Sequence, residues 1–254
     1  MSSVPPPPPP PPLSPPPGYA AYGGPGSYGG TFQRIGSLTK ALVTLSVIGI
    51  VASAASLVVQ LTLRPRALDF RDGTITLDEF ADKLGPYLAV SAVLGLVGLA
   101  TLVVQIIWTF RIAKNLAVLG RKPRAFSPGG SIAVNILGGC TLGILPYFMW
   151  RELWKGSDSE VPPGDSTWKQ RPVGTIVHLW FAATILTFVV SLALGVGSAI
   201  TRVNRGSDSS LAKQLDDQFA FILVSGILSI ITAVLFVGLV RQLAARHMQA
   251  TREA

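Results

Sequence analysis

The stretch that decides the architecture is Ile132-Ala133-Val134-Asn135-Ile136-Leu137-Gly138-Gly139-Cys140-Thr141-Leu142-Gly143-Ile144-Leu145-Pro146-Tyr147-Phe148-Met149-Trp150. Its 19 residues carry no charge. About 20 apolar residues span a hydrocarbon core, so length alone permits a crossing. The content argues otherwise. Asn135, Gly138, Gly139, Gly143 and Pro146 make a poor straight helix, and non-helical backbone at membrane depth survives only where protein or water satisfies it. The segment therefore reads either as a fifth transmembrane helix or as a re-entrant or interfacial element.

Outward from it lie four clearer apolar spans, at about 42–63, 87–110, 173–200 and 218–240. The 254-residue chain is 49% hydrophobic and 13% charged. Ordinary soluble domains carry about 25% charged residues, so that class is excluded. The fold class is an all-α polytopic membrane protein. The first apolar run begins far from Met1 and exceeds a signal-peptide core, so it is expected to stay as an anchor. Cys140 is the only cysteine, which rules out an intrachain disulfide or a CxxC site. No HExxH, GxSxG, P-loop or GxGxxG pattern occurs. No cofactor is implied. The net charge of +8 could suggest nucleic acid, but the cations sit between apolar spans, so sidedness explains them and no nucleic-acid partner is expected.

Charge arbitrates the span count. If 132–150 does not cross, one side holds 14 Lys and Arg, and the other holds 7 against 8 acids. If it crosses, the split becomes 10 against 11 and the bias vanishes. The positive-inside rule favours four spans, one re-entrant or interfacial segment, both termini cytoplasmic, and a bacterial cell membrane location.

Three regions follow: a 1–37 tail, a 38–245 helical membrane domain and a basic 246–254 C-terminal tail. The first tail holds Pro5 to Pro12 unbroken, then Gly/Tyr-rich sequence. It reads as a disordered extension with a stiff polyproline II part, and a protein partner with an aromatic groove would suit it. Ser207-Asp208-Ser209 offers caps for the last helix. Small residues at 49–56, and Ser91, Gly95 and Gly98, suit close helix packing, within the bundle or in a homo-oligomer. Gln105, deep in the second span, needs an interhelical partner. Asp72 to Phe80 is similar to the second half of a calcium loop, with Asp72 and Glu79 as ligands, but Leu68 and Phe70 stand at ligand positions 1 and 3. A capping box of Thr76 and Glu79 explains the same residues without a metal.

A longer pattern surrounds the deciding stretch. It runs Trp108-Thr109-Phe110-Arg111, Lys114-Asn115-Leu116, Leu119-Gly120, Ser127-Pro128-Gly129, Pro146-Tyr147 and Glu152-Leu153-Trp154, then Gly156-Ser157. This resembles the bacterial membrane family termed domain of unknown function 4328. That family shows an aromatic-Arg, Asn, Leu-Gly run, a Pro-Gly-Trp, a Pro-Tyr and a Glu-Leu/Ile-Trp-x-x-Ser, often behind a Pro/Gly-rich tail. Here Gly130 replaces the family's Trp, and Asn135 to Gly138 replaces its usual aromatic run. The resemblance implies a membrane location and no activity.

The candidate site residues are Trp108, Arg111, Lys114, Asn115, Gly120, Pro128, Asn135, Pro146, Tyr147, Glu152 and Trp154. Arg111 and Lys114 suit a helix C-terminus and lipid phosphates, and the bilayer's anionic headgroups are the expected partner. Asn115 suits a cap before Gly120. Trp108, Trp150 and Trp154 suit the headgroup interface, and Pro146 suits a bend in the hairpin. Three function classes follow. The first is a non-enzymatic scaffold acting through the basic 111–172 loop and the tail. The second is a small oligomeric transporter or channel built around 132–150, although no charge lies near mid-span. The third is a membrane enzyme, for which His178 is the lone candidate near the motif.

Overall fold

A computed structural model of the protein describes residues 30–204 and 219–253, with side chains outside 196–204. The polyproline run and the Ser207-Asp208-Ser209 cap lie outside the described residues. Every regular element among the described residues is helical. In chain order they are α1 (Gly36–Arg71), α2 (Leu77–Lys83), α3 (Gly85–Val118), α4 (Pro128–Leu137), α5 (Ile144–Gly156), α6 (Thr175–Asn204) and α7 (Phe219–Thr251), with 3₁₀ turns at Gly139–Thr141 and Ser166–Gln170. The four long helices α1, α3, α6 and α7 are each long and apolar enough to cross a membrane. The protein is a multi-pass membrane protein with four such helices and a shorter apolar helix between the second and third.

The long helices outrun the apolar spans because hydropathy marks only the lipid-immersed part. α7 continues to Thr251, so residues 246–251 are its last turns rather than a loose tail. α1 packs between α3 and α7, and α7 also carries α6. The α3 surface toward lipid stays apolar, with Leu88, Leu96, Leu99 and Val103 exposed. Gly95 and Gly98 have open space beside them, so among the described residues nothing packs into their seam.

The deciding stretch is broken. α4 has 10 residues and α5 has 13, about 15 and 20 Å of helix, each well short of a 30 Å core. Ser127 caps α4 by accepting the Gly130 N–H at 3.0 Å, with Pro128 in the first turn. α4 ends at Gly138. Leu142 (φ 52) and Gly143 (φ 76) then take left-handed conformations and reverse the chain. A Cβ on Gly138 would meet Pro146 Cγ at 2.8 Å, so the turn closes only around glycine there. Pro146 was expected to bend the segment. It lies instead in the first turn of α5, where a missing N–H costs little, and the bend is made at 138–143.

The two limbs return to one place. The Glu152 carboxylate, in the last turns of α5, accepts the Ala125 N–H at 2.7 Å and the Phe126 N–H at 3.2 Å, just before α4. The segment is therefore a helical hairpin whose two ends are tied together. The start of α1 and the residues after α7 also meet at that end of the bundle. Ile35 and Gly36 N–H, open at the start of α1, both donate to the Glu253 carboxylate at 2.9–3.0 Å.

Cys140 sits exposed at the hairpin tip, about 15–20 Å from either limb's root along the helices. In intact membranes a membrane-impermeant maleimide is expected to leave Cys140 unlabelled from both sides, with labelling appearing only after unfolding. Rapid labelling from the side opposite the hairpin's root would mean that the segment crosses.

Candidate functional site

The resemblance motif assembles at the end of the bundle where the hairpin is rooted and where α1 begins and α7 ends. Trp150, in α5, is fully buried and centres the packing. Its ring lies 5.8 Å from Trp108 of α3, 5.6 Å from Trp180 of α6 and 5.8 Å from Phe236 of α7. The interface-belt expectation for Trp108, Trp150 and Trp154 is corrected here. All three are buried, at 0%, 0% and 5% exposure, because the hairpin and the 157–173 segment roof the ring positions that a bare helix would show to lipid. Trp108 Nε1 donates to Thr39 Oγ1 at 2.8 Å, pinning α3 to α1. Trp154 closes on Gly174, where a Cβ would lie 2.2 Å from the indole.

Asn115 does not cap the turn before Gly120. That turn closes through the backbone, with Gly120 at φ 68 and the Arg121 N–H donating to the Leu116 carbonyl at 3.0 Å. Asn115 instead grips the chain just before α1. Its Oδ1 accepts the Gln33 N–H at 2.7 Å and its Nδ2 donates to the Gln33 carbonyl at 2.8 Å. Beside it, Arg111 donates to the Arg34 carbonyl at 2.8 Å. Lys114 is exposed on the next turn.

The second Asn115 amide hydrogen meets His247 Nε2 at 2.9 Å, and His247 Nδ1 lies 2.9 Å from Ser157 Oγ. All three side chains are fully buried. The composition resembles a catalytic Ser-His-Asn set, but the hydrogen positions oppose that use. The backbone of Gln33 fixes the orientation of the Asn115 amide, so Nδ2 must donate and Nε2 must accept. The imidazole proton then sits on Nδ1 and points at Ser157. A base must accept the nucleophile's proton, and here the ring donates to Ser157. This trio joins α3, α5 and α7.

Arg121 is the second anchor and is also fully buried. Its Nε donates to the Gly156 carbonyl at 3.1 Å, and its terminal nitrogens donate to Pro162, Asp158 and Val161 carbonyls at 2.8, 3.1 and 2.7 Å. Burial pushes its pKa down from the ordinary arginine value, and Asp158 and Asp165 oppose that shift. Asp158 joins Arg171 at 2.6 Å and Arg246 at 3.1 Å, and Arg171 also pairs with Glu160. Arg246 lies over the Trp154 ring at 5.0 Å.

Tyr147 stacks on Phe181 with centroids 4.1 Å apart, and its hydroxyl meets His178 Nδ1 at 2.9 Å. His178 therefore contacts the motif through tyrosine. Asn135 lies apart, in α4 against α3. Its Oδ1 accepts from Gln105 Nε2 at 2.7 Å, and its Nδ2 donates to Thr109 Oγ1 at 2.9 Å and to the Ser131 carbonyl at 2.7 Å. Gln105 thus finds the partner its burial demands. Asn135, which the transporter reading assigned to a cavity wall, has its amide engaged within the protein.

Asp72 and Glu79 lie at the other end of α1, away from the motif. Glu79 Oε2 accepts the Thr76 N–H at 2.7 Å, and Thr76 Oγ1 accepts the Glu79 N–H at 3.3 Å, a complete capping box. The Thr76 N–H and hydroxyl, both donating to Oε2, hold the Glu79 carboxyl below its ordinary range. Among the described residues no three His, Cys, Asp or Glu side chains converge as a metal site would require.

The model of the domain of unknown function DUF4328 matches residues 72–245. The chain belongs to this family. The match begins after α1, so the helix that Asn115 and Arg111 hold lies before it. No curated protein and no solved structure matches the chain. Two family features, the Asn of the first run (Asn115) and the Ser of the last (Ser157), meet at His247. Sequence reading missed His247 and Arg121 as organising residues. A signal existed for the first: Leu243, His247 and Thr251 recur every fourth residue on one helix face, all buried.

Asn115→Ala should lower stability by about 2 kcal/mol or more, since it strands His247 and the Gln33 backbone polar groups. Thermal unfolding in detergent should show the loss, and limited proteolysis should show new cleavage near residues 30–35. A variant with unchanged melting and digestion would contradict the clamp.

Proposed function

We propose that the protein is a non-enzymatic membrane scaffold whose cationic end faces the cytoplasm and recruits a protein partner together with its Pro-rich tail. The carrying observation is how charge is distributed there. The hairpin end holds 14 Lys and Arg against 5 Asp and Glu. The acids are engaged internally. Glu152 and Glu253 accept backbone N–H groups, Asp158 and Glu160 pair with Arg171, and Asp165 accepts the Thr167 N–H at 2.8 Å. Lys40, Lys114, Lys122 and Arg241 remain exposed. The result is a positive face, and cytoplasmic loops carry the excess of Lys and Arg in a bacterial cell membrane. The Asn115 and Glu253 contacts hold residues 33–36 at that same end, which supports joint use of the face and the tail that precedes it. The engagement of Ser157 and His247 in structure supports a role in binding rather than catalysis.

Single cysteines introduced as Ser159→Cys and Thr74→Cys, each in a Cys140→Ser background, should label from the cytoplasmic and external sides respectively. Reversed labelling overturns the orientation. Protein purified from native membranes should lose the same co-purifying partner when residues 1–29 are deleted and when Lys114 and Lys122 are changed to Glu. Retention of every partner by both variants would remove the scaffold reading.

A further inference from the structure

A groove of about 380 Å³ runs beside the hairpin root. Its walls come from the approach to α4 (Phe126), from α5 (Phe148, Arg151, Lys155) and from the 166–170 turn (Trp168, Lys169). Three cations and three aromatic rings share this one small space. The groove's acid, Glu152, has both oxygens on backbone N–H groups. Arg151 has a buried Nε with no hydrogen-bond partner among the described residues, and its guanidinium lies 5.3 Å from the Tyr147 centroid and 5.7 Å from that of Phe148. A buried donor without an acceptor is unfavourable, and an incoming oxygen would supply one. Lys155 donates to the Lys169 carbonyl at 2.8 Å, so the two lysine-bearing elements are held together.

Position identifies the occupant. Phe148 is exposed and continues the apolar surface of Ile144 and Leu145, which belongs to the same hairpin limb. Lys169 is exposed at the opposite, polar edge. The groove thus grades from acyl-chain chemistry to phosphate chemistry over a few residues. A free inorganic anion would use the cations but leave the aromatic walls uncovered. We propose that the groove binds an acidic phospholipid, with the phosphate against Arg151, Lys155 and Lys169 and the glycerol and first acyl carbons against Phe126 and Phe148. This deepens the proposed function and rests on it only in taking the hairpin end as one that meets a membrane surface. Arg and Lys near an anionic bilayer attract it generally. The groove adds a fixed, saturable site.

The test uses full-length protein in neutral detergent, titrated separately with phosphatidylglycerol, phosphatidylcholine and inorganic phosphate, with bound lipid counted by native mass spectrometry. Saturable phosphatidylglycerol binding is expected, at least about tenfold tighter than phosphatidylcholine. Changing Arg151, Lys155 and Lys169 together to Gln should weaken it by about tenfold or more, and changing the exposed Lys114 and Lys122 to Gln should not. Equal phosphatidylcholine binding overturns the proposal, as does equal loss in both variants, which would mean diffuse attraction. Displacement by inorganic phosphate would make the groove a soluble-anion site and also overturns it. Hydrogen exchange on the unaltered protein decides the matter if the triple variant does not fold. Added phosphatidylglycerol should slow exchange at 125–127, 151–155 and 166–170, and slowing absent there or confined elsewhere overturns the site. Detergent has no sides, so reversed membrane orientation would sink the scaffold reading and leave this result untouched.

Discussion

The bond between the Glu152 carboxylate and the Ala125 and Phe126 amides is the contact on which the architecture turns. A chain that enters a bilayer must satisfy its backbone and either cross or return. Glu152 ties the end of the hairpin to its start. That closure brings 111–127 and 152–172 to one end of the bundle, where the start of α1 and the end of α7 also lie beside each other. Trp150 sits two residues before Glu152 and fills the space so enclosed, touching three of the long helices at once.

Inside that closure, polar groups replace apolar packing as the means of fixing register. The Asn115–His247–Ser157 chain and the Arg121 guanidinium bind segments more than 30 residues apart in sequence. Such groups are costly if any member is unmatched and specific when all are matched. They stand at the end of the bundle, clear of the mid-membrane turns of α3 and α7, where burial by protein rather than by lipid makes full hydrogen bonding attainable. Two of the family's recognisable residues, Asn115 and Ser157, belong to this set, and with the buried Trp108, Trp150 and Trp154 they build a cap on the bundle.

The helices and the hairpin were legible in the sequence, because length, apolar run and Gly/Pro interruption are local properties. So were the Thr76–Glu79 box and the need of Gln105 for a partner, since each follows from a residue type in a known setting. Reading failed where the answer depended on what lay overhead. Tryptophans near a span end look like interface residues until a hairpin covers them. Asn115 before Gly120 looks like a local cap, yet its partner is Gln33, 82 residues away. Nothing local marks Arg121 as the one cation of its basic run to be fully buried, since its acceptors are carbonyls that any sequence at 156–162 would supply.

The Glu253 contact with the first turn of α1 has a consequence for biosynthesis. Those partners are separated by 217 and 218 residues. A ribosome completes every other helix before it adds the residue that closes the first one. The amides at the head of α1 therefore stay without this acceptor until Glu253 has been made. The clasp is added after α1 to α7 are complete, and a chain cut just before Glu253 would carry those helices yet lack it.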